Sequence, residues 1–329
     1  MPLRVVQIGL GPLGQMLTPF LLERKSIQLI AAVDVDQNKI GKDLGDVGHL
    51  GHKLDILVTD NLDLALHQAD CAIITTVSEF LRIAPLLQTV MAKKVHIVST
   101  CEELSFPWKT HPELAAQIDR EAKKNGVAVL GTGINPGFLM DFLPTAVTGV
   151  CRHVESILIE RIQDASFRRL PFRQKIGAGL SVAEFQTLVE KKKIRHVGLT
   201  ESMHMVASRL GWDLDKTEDI VEPIVAQDDI QGNGWAVAKG FATGVCQTGR
   251  GFVGNKQVLT LNFRAAVGQK DPQEHIHITG TPEFDVVIPG GINGDVATCS
   301  VVTNALSIIT QVFAGLHTMV DIPPLSYAP

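Results

Sequence analysis

The sequence predicts an α/β fold: a doubly wound parallel sheet, then a second α+β domain containing a mainly antiparallel sheet. Three observations carry that prediction. From residue 3 to about 131, short β-branched runs alternate with helix-length segments. A glycine-rich loop, Gly9-Leu10-Gly11-Pro12-Leu13-Gly14, joins the first such run to the first helical segment. From about 218 to 290, strand-like runs follow one another with no helical segment between them.

The elements justify this in order. Arg4–Ile8, Leu29–Val33, Ala72–Thr75, Val95–Val98 and Val127–Leu130 are almost continuously apolar, as strands buried on both faces must be. Right-handed crossovers between them give a Rossmann-type sheet. After Pro136 the texture changes. Val154–Arg161 reads as a strand, helical patterns follow near 181–192 and 200–211, and strand candidates run Trp235–Phe241, Gln257–Ala266, His275–Thr279 and Phe284–Ile288. An apolar helix, roughly Val296–Phe313, follows the Gly290-Gly291 break. A chain of 329 residues is long for one core. The expected division is a dinucleotide-binding domain over 1–135 and a substrate-binding and dimerisation domain over 136–295, with 296–329 packing back near the junction.

Composition removes several functional classes. A net charge of -5 with a pI near 6.1 argues against an electrostatic nucleic-acid binder, and Lys191-Lys192-Lys193 reads as a solvated helix face. Five scattered cysteines with no CxxC pair suit a reducing cytoplasm. The start of the chain lacks a secretory signal pattern, and no apolar stretch is long enough to span a bilayer, so a cytoplasmic protein without a membrane partner is expected. The histidines form no metal-ligand spacing, and neither a G-x-S-x-G elbow nor a Walker loop is present. No metal is expected.

The loop Gly9 to Gly14 fits G-x-G-x-x-G in the strand–turn–helix context that gives the pattern meaning. Gly9 permits the tight turn, Gly11 lets backbone approach a pyrophosphate, and Gly14 allows close helix–strand packing. Pro12 and Leu13 open the helix whose N-terminus faces the phosphates. Asp34 ends the second strand at the position where a carboxylate can accept both ribose hydroxyls, which favours NAD. Lys39 and Lys42 are near enough in sequence to keep NADP open. Thr75 and Thr76 end one strand, Thr100 and Cys101 follow another, and Asn135 follows the strand after that. All lie at carboxyl ends of strands, where cofactor walls are expected. Asn135 has two readings, a helix cap or a contact to the nicotinamide carboxamide.

Glu102 and Glu103 directly follow a strand and enter a partly apolar segment, Leu104 to Trp108. Two adjacent carboxylates there suit proton transfer, one having a raised pKa, or else complement the dipole of a helix's first turn. The stretch from Arg161 to Gly177 concentrates Arg, Lys, Asp and Phe. Arg161, Arg168 and Arg169 offer forks for a substrate carboxylate, with Phe138 and Phe167 as apolar walls. A structural ion-pair network or a dimer rim is the competing reading.

Several motifs together resemble one family: GLGPLG, STCEELSFPW (99–108), GTGINPGF (131–138), ERIQDASFRRLPFRQKIGAG (160–179) and GDVATCSVVTNAL (294–306). They are similar to the 2,4-diaminopentanoate dehydrogenases and native amine dehydrogenases, which share a dihydrodipicolinate-reductase-like N-terminal domain. The resemblance implies NAD(P)-linked oxidative deamination of a diamino acid or simple amine, with reductive amination of a ketone by ammonia in reverse. It also implies a catalytic glutamate in the EEL segment, either Glu102 or Glu103, and a homodimer through the second domain's sheet. The HHxxK signature of true dihydrodipicolinate reductases is absent. Two alternatives remain open on sequence: a C=N or ketone reductase of the same broad group, and a non-catalytic NAD(P)H sensor.

Overall fold

The computed structural model describes all residues except Arg169, Asn233 and Pro329, and the side chain of Pro171. Contacts divide the chain into two compact units, Met1–Phe138 together with Asn293–Pro329, and Leu139–Ile292.

The first unit runs β1 (Leu3–Ile8), α1 (Pro12–Leu22), β2 (Ile27–Val33), α2 (Leu44–Val47), β3 (Val58–Thr59), α3 (Leu62–Ala65), β4 (Cys71–Ile74), α4 (Phe80–Ala92), β5 (His96–Ser99), a 3-10 turn (Glu102–Leu104), α5 (Pro107–Thr110), α6 (Pro112–Asn125) and β6 (Ala128–Gly131). In the second unit lie α7 (Phe142–Val147), β7 (His153–Asp164), α8 (Leu170–Lys175), α9 (Val182–Glu190), α10 (Leu199–Leu210), β8 (Lys216–Val225), β9 (Ile230–Gly232), β10 (Trp235–Val237), β11 (Ala242–Val253), β12 (Lys256–Ala266), β13 (Gln273–Thr281) and β14 (Phe284–Pro289). The chain then returns to the first unit with α11 (Gly294–Ile309) and β15 (Gly315–His317).

The first unit's sheet is parallel throughout, ordered β15-β6-β5-β4-β1-β2-β3. Its strand order reverses between β1 and β4, which opens a crevice at their carboxyl ends. Strands β4 and β6 are buried at every position, explaining their unbroken apolar runs. The helices around it bury Leu17 and Leu21 of α1, Ile83, Leu87 and Met91 of α4, and Ile118 and Ala122 of α6. Gln7, although polar, is fully buried in β1: its amide donates to the Gly14 carbonyl at 2.6 Å, tying α1 to the strand it follows.

The returning segment completes this unit. Helix α11, capped by the Asn293 side chain on the N–H groups of Asp295 and Val296, packs against α1, β5 and β6. Strand β15 then pairs in parallel with β6 as the seventh strand. The helical pattern read to Phe313 therefore ends at Ile309, and the three-residue strand beyond it is too short to show a period.

The second unit's sheet has the order β14-β13-β7-β12-β11-β8 and is antiparallel except between β7 and β12. Alternation is clear in β12 and β13, whose inward residues Leu259, Leu261, Phe263, Ile276 and Ile278 pack with Phe185, Met203 and Val206. Strand β11 is less legible because glycines interrupt it. A Cβ on Gly249 would lie 3.3 Å from both Leu199 and Met203 of α10, so the missing side chain lets the helix seat closely on the sheet. Among the described residues no helix is long and apolar enough to cross a membrane.

Candidate functional site

The glycine loop is built around one close approach. Gly9 has φ +93°, and a Cβ there would come within 2.7 Å of the Thr75 carbonyl oxygen. A Cβ on Gly14 would fall on the Gly9 carbonyl oxygen. The Thr75 hydroxyl closes the arrangement by donating to that same carbonyl at 2.7 Å. Thr75 is thus a brace for the loop as well as a residue of the strand end.

Gly11 occupies the N-cap of α1, with no side chain capping the helix, and a Cβ on it would meet nothing within 4 Å. The helix's first-turn N–H groups therefore have no capping side chain and border open space, the arrangement that accepts phosphate oxygens. Gly11, Pro12 and Leu13 form one wall of a cleft of about 210 Å³. Its other walls are Thr75, Thr76, Val77 and Ser78 after β4, and Thr100 and Glu102 after β5. Cys101 is buried, and its thiol contacts the Ser78 carbonyl at 3.1 Å. Val77 and Ser78 were not singled out in the sequence, although the rule that selects Thr76, position beyond a strand's carboxyl end, also reaches them.

Asp34 follows β2, and its carboxylate accepts three hydrogen bonds from the surrounding chain. One oxygen accepts from the Leu10 N–H at 2.7 Å and from Lys39 Nζ at 3.1 Å, and the other accepts from the Asp36 N–H at 2.9 Å. Burial alone would raise its pKa, but the Asp36 and Leu10 N–H groups and Lys39 outweigh that and hold it below the usual carboxylate range. The oxygen that accepts only the Asp36 N–H keeps a second lone-pair direction for a hydroxyl donor. The loop, the uncapped helix and this acid fit a dinucleotide.

The two adjacent glutamates separate. Glu102 borders the cleft. Glu103 instead accepts the backbone N–H of Phe80 at 2.9 Å. Phe80 begins α4, whose own N-cap residue, Glu79, makes no side-chain cap. One of the paired acids thus serves a helix terminus and the other borders open space. Asn135 precedes a cis peptide bond to Pro136 and caps no helix, since α7 begins later with Asp141 as its N-cap. Residues 135–141 form turns before α7, so no helix starts directly at this junction.

The basic segment of the second unit is divided. Arg161, 2% exposed, donates to Glu274 at 2.6 Å and to the Ile292 carbonyl at 3.1 Å. Glu274 also accepts the Ile292 N–H, while Gln163 donates to the Ile292 carbonyl. Burial lowers the Arg161 pKa and pushes the Glu274 carboxyl up against their mutual attraction. Arg161 is therefore part of a structural ion pair, which corrects its expected role as a substrate fork: its inward position on β7 carries it into the core. Arg168 stacks its guanidinium 4.0 Å from the Phe172 ring centre. Arg168, Arg173, Asp164, Trp235 and Phe167 line a separate cavity of about 430 Å³ in this unit. Phe167 is 93% exposed, so it is an outward rim residue rather than a packed wall. Phe138 is half-buried at the end of the first unit, and Arg169 lies outside the described residues.

Comparison with known proteins adds the following. Residues 138–327 match the model of the 2,4-diaminopentanoate dehydrogenase C-terminal domain, and residues 3–103 match that of the dihydrodipicolinate reductase N-terminus. The chain is 31% identical to 2,4-diaminopentanoate dehydrogenase of Acetoanaerobium sticklandii, over 97% of this chain and 93% of that protein. It is 22% identical to an amine dehydrogenase of Streptomyces virginiae, over 64% of this chain and 60% of the other. The amine dehydrogenase structure from Mycobacterium smegmatis superposes with a TM-score of 0.86 at 22% identity, covering 99% of this chain and 98% of that one, which establishes the shared fold.

The ion pair gives a stability test. Glu274→Leu leaves a buried guanidinium without its carboxylate and is expected to cost about 3–5 kcal/mol, whereas Arg161→Met with Glu274→Leu recovers most of that loss. Urea unfolding of the single and double variants measures both. A single variant as stable as the parent would deny the pair its structural role.

Proposed function

The chain belongs to the 2,4-diaminopentanoate dehydrogenase family, and from that premise we propose that it is an NAD(P)-dependent amine dehydrogenase. It oxidatively deaminates a diamino acid such as 2,4-diaminopentanoate, or a simple amine, and aminates the corresponding ketone with ammonia in reverse. The observation that carries the reading to a residue is the presence of Glu102 in the cleft formed by the glycine loop and the ends of β4 and β5.

The uncapped N-terminus of α1 binds the pyrophosphate, and Asp34 holds the adenine-side ribose. When bound, the nicotinamide supplies the hydride acceptor for the amine's C–H. Glu102 as a carboxylate takes the extra proton of the substrate's ammonium form and passes it to solvent. Ionised again, it stabilises the iminium left by hydride loss and accepts a proton from the water that attacks its carbon. In reverse the same carboxylate orients ammonia at the ketone. Glu103 keeps α4 in place and has no part in proton transfer.

A panel of 2,4-diaminopentanoate and simple amines, assayed at alkaline pH for reduced-cofactor formation, tests the activity. Glu102→Gln is expected to lower kcat by about 10²–10⁴ while leaving cofactor binding intact. Glu103→Gln is expected to keep most turnover and lose about 1 kcal/mol of stability at the α4 terminus. The opposite pattern would transfer the role to Glu103, and silence across the panel with cofactor bound would favour a different reductase or a sensor.

Asp34 supports a preference for NAD, because a 2′-phosphate would meet its carboxylate, although Lys39 beside it softens the repulsion. Asp34→Ser is expected to shift the ratio of kcat/KM for NAD over NADP by about tenfold towards NADP. An unmoved ratio would remove Asp34 from cofactor selection.

The partly exposed sheet face carrying Glu160, Asn262 and His275 supports a homodimer formed through the second unit. Sedimentation of a monomer at micromolar concentration would refute that assembly.

A further inference from the structure

The amino-terminal ends of β1 and β2, remote from the glycine loop along the strands, border a cavity of about 580 Å³. Leu3, Ile27 and Leu306 give it apolar walls, and Arg4, Arg24 and Thr303 bring polar groups to it. Two of those groups are buried without the partners that burial requires. Arg24 is 9% exposed, its guanidinium lies 4.5 Å from the Tyr327 ring centre, and its Nε has no hydrogen-bond partner among the described residues. Among the described residues it forms no ion pair. Thr303 is 2% exposed, and its Oγ1 likewise has no hydrogen-bond partner among the described residues.

A buried guanidinium without an anion is costly, and a ring face replaces only part of the lost hydration. Arg4, at the same cavity, shows the contrast: Asp70 matches it with two hydrogen bonds, of 3.1 and 2.7 Å. The cavity therefore holds one uncompensated positive charge, one spare hydroxyl and an apolar lining.

We propose that this cavity is a second ligand site, separate from the cofactor cleft, which takes a small monocarboxylate with a short apolar body. Its carboxylate pairs with Arg24 and accepts the Thr303 hydroxyl, while its chain lies against Leu3, Ile27 and Leu306. A single cation and the neighbouring Asp70 carboxylate favour a singly charged head over phosphate. The inference goes beyond the dehydrogenase reading and does not depend on it.

Titration calorimetry of the full chain with sodium pentanoate at low ionic strength tests the site. Saturable binding is expected, weakened about tenfold or more by Arg24→Gln and by Thr303→Val, and unchanged by Glu102→Gln. Thr303→Val preserves side-chain volume, so the test survives if Arg24→Gln fails to fold. No saturable heat, or binding insensitive to both cavity variants, would overturn the proposal. Inorganic phosphate competing as strongly as pentanoate would overturn the carboxylate assignment. Binding that emerges only after removal of residues 328–329 would overturn it as well, because the chain's own tail would then be the occupant.

Discussion

The close approach of α1 to β1 governs the first unit. Gly14 lies against the Gly9 carbonyl with no room for a side chain, Thr75 reaches across from β4 to the same oxygen, and Gln7 ties the strand to the helix from beneath. One consequence is electrostatic. A helix seated this tightly directs its uncapped N-terminus at the crevice where the strand order reverses. Another is topological, since the loop, β4 and β5 then contribute walls to one cleft. Asp34 extends the same framework by accepting the Leu10 N–H, so the acid proposed for the ribose also fixes the loop proposed for the phosphates.

Burial assigns different work to chemically similar groups. Glu102 and Glu103 are neighbours in sequence, yet one borders the cleft and the other completes the start of α4. A 3-10 turn separates their directions, because successive residues on any helix point to different sides. The arginines show the same division. Arg161 points into the second core and needs Glu274 there, Arg168 lies on an aromatic ring, and Arg24 is buried in the first unit against Tyr327. Equal charges thus become a structural pair, a half-buried group stacked on a ring and a cavity group without a carboxylate, according to where each backbone position faces.

Glycine performs two opposed tasks in this chain. At Gly9 and Gly14 it marks a tight strand-to-helix turn that the sequence pattern makes legible. At Gly249 it lets α10 approach β11, and there it conceals a strand, because a residue without a side chain contributes nothing to an alternating pattern. The signal is legible where glycine spacing matches a backbone requirement of known shape and illegible where it answers a neighbouring helix.

The sequence by itself determined the parallel sheet, the tight glycine turn between β1 and α1, the mainly antiparallel second sheet and the family, because each rests on local periodicity or on contiguous motifs. Tertiary structure decided the rest. It placed β15 beside β6 from the far end of the chain, gave Glu102 and Glu103 separate surroundings, buried Arg161 against Glu274 and made Thr75 a brace. Those outcomes depend on residues brought together across 23 to 187 positions (103 − 80 and 315 − 128), and no local pattern encodes such pairings. What a side chain touches follows from which elements pack around it, and that is settled only when the whole unit has folded.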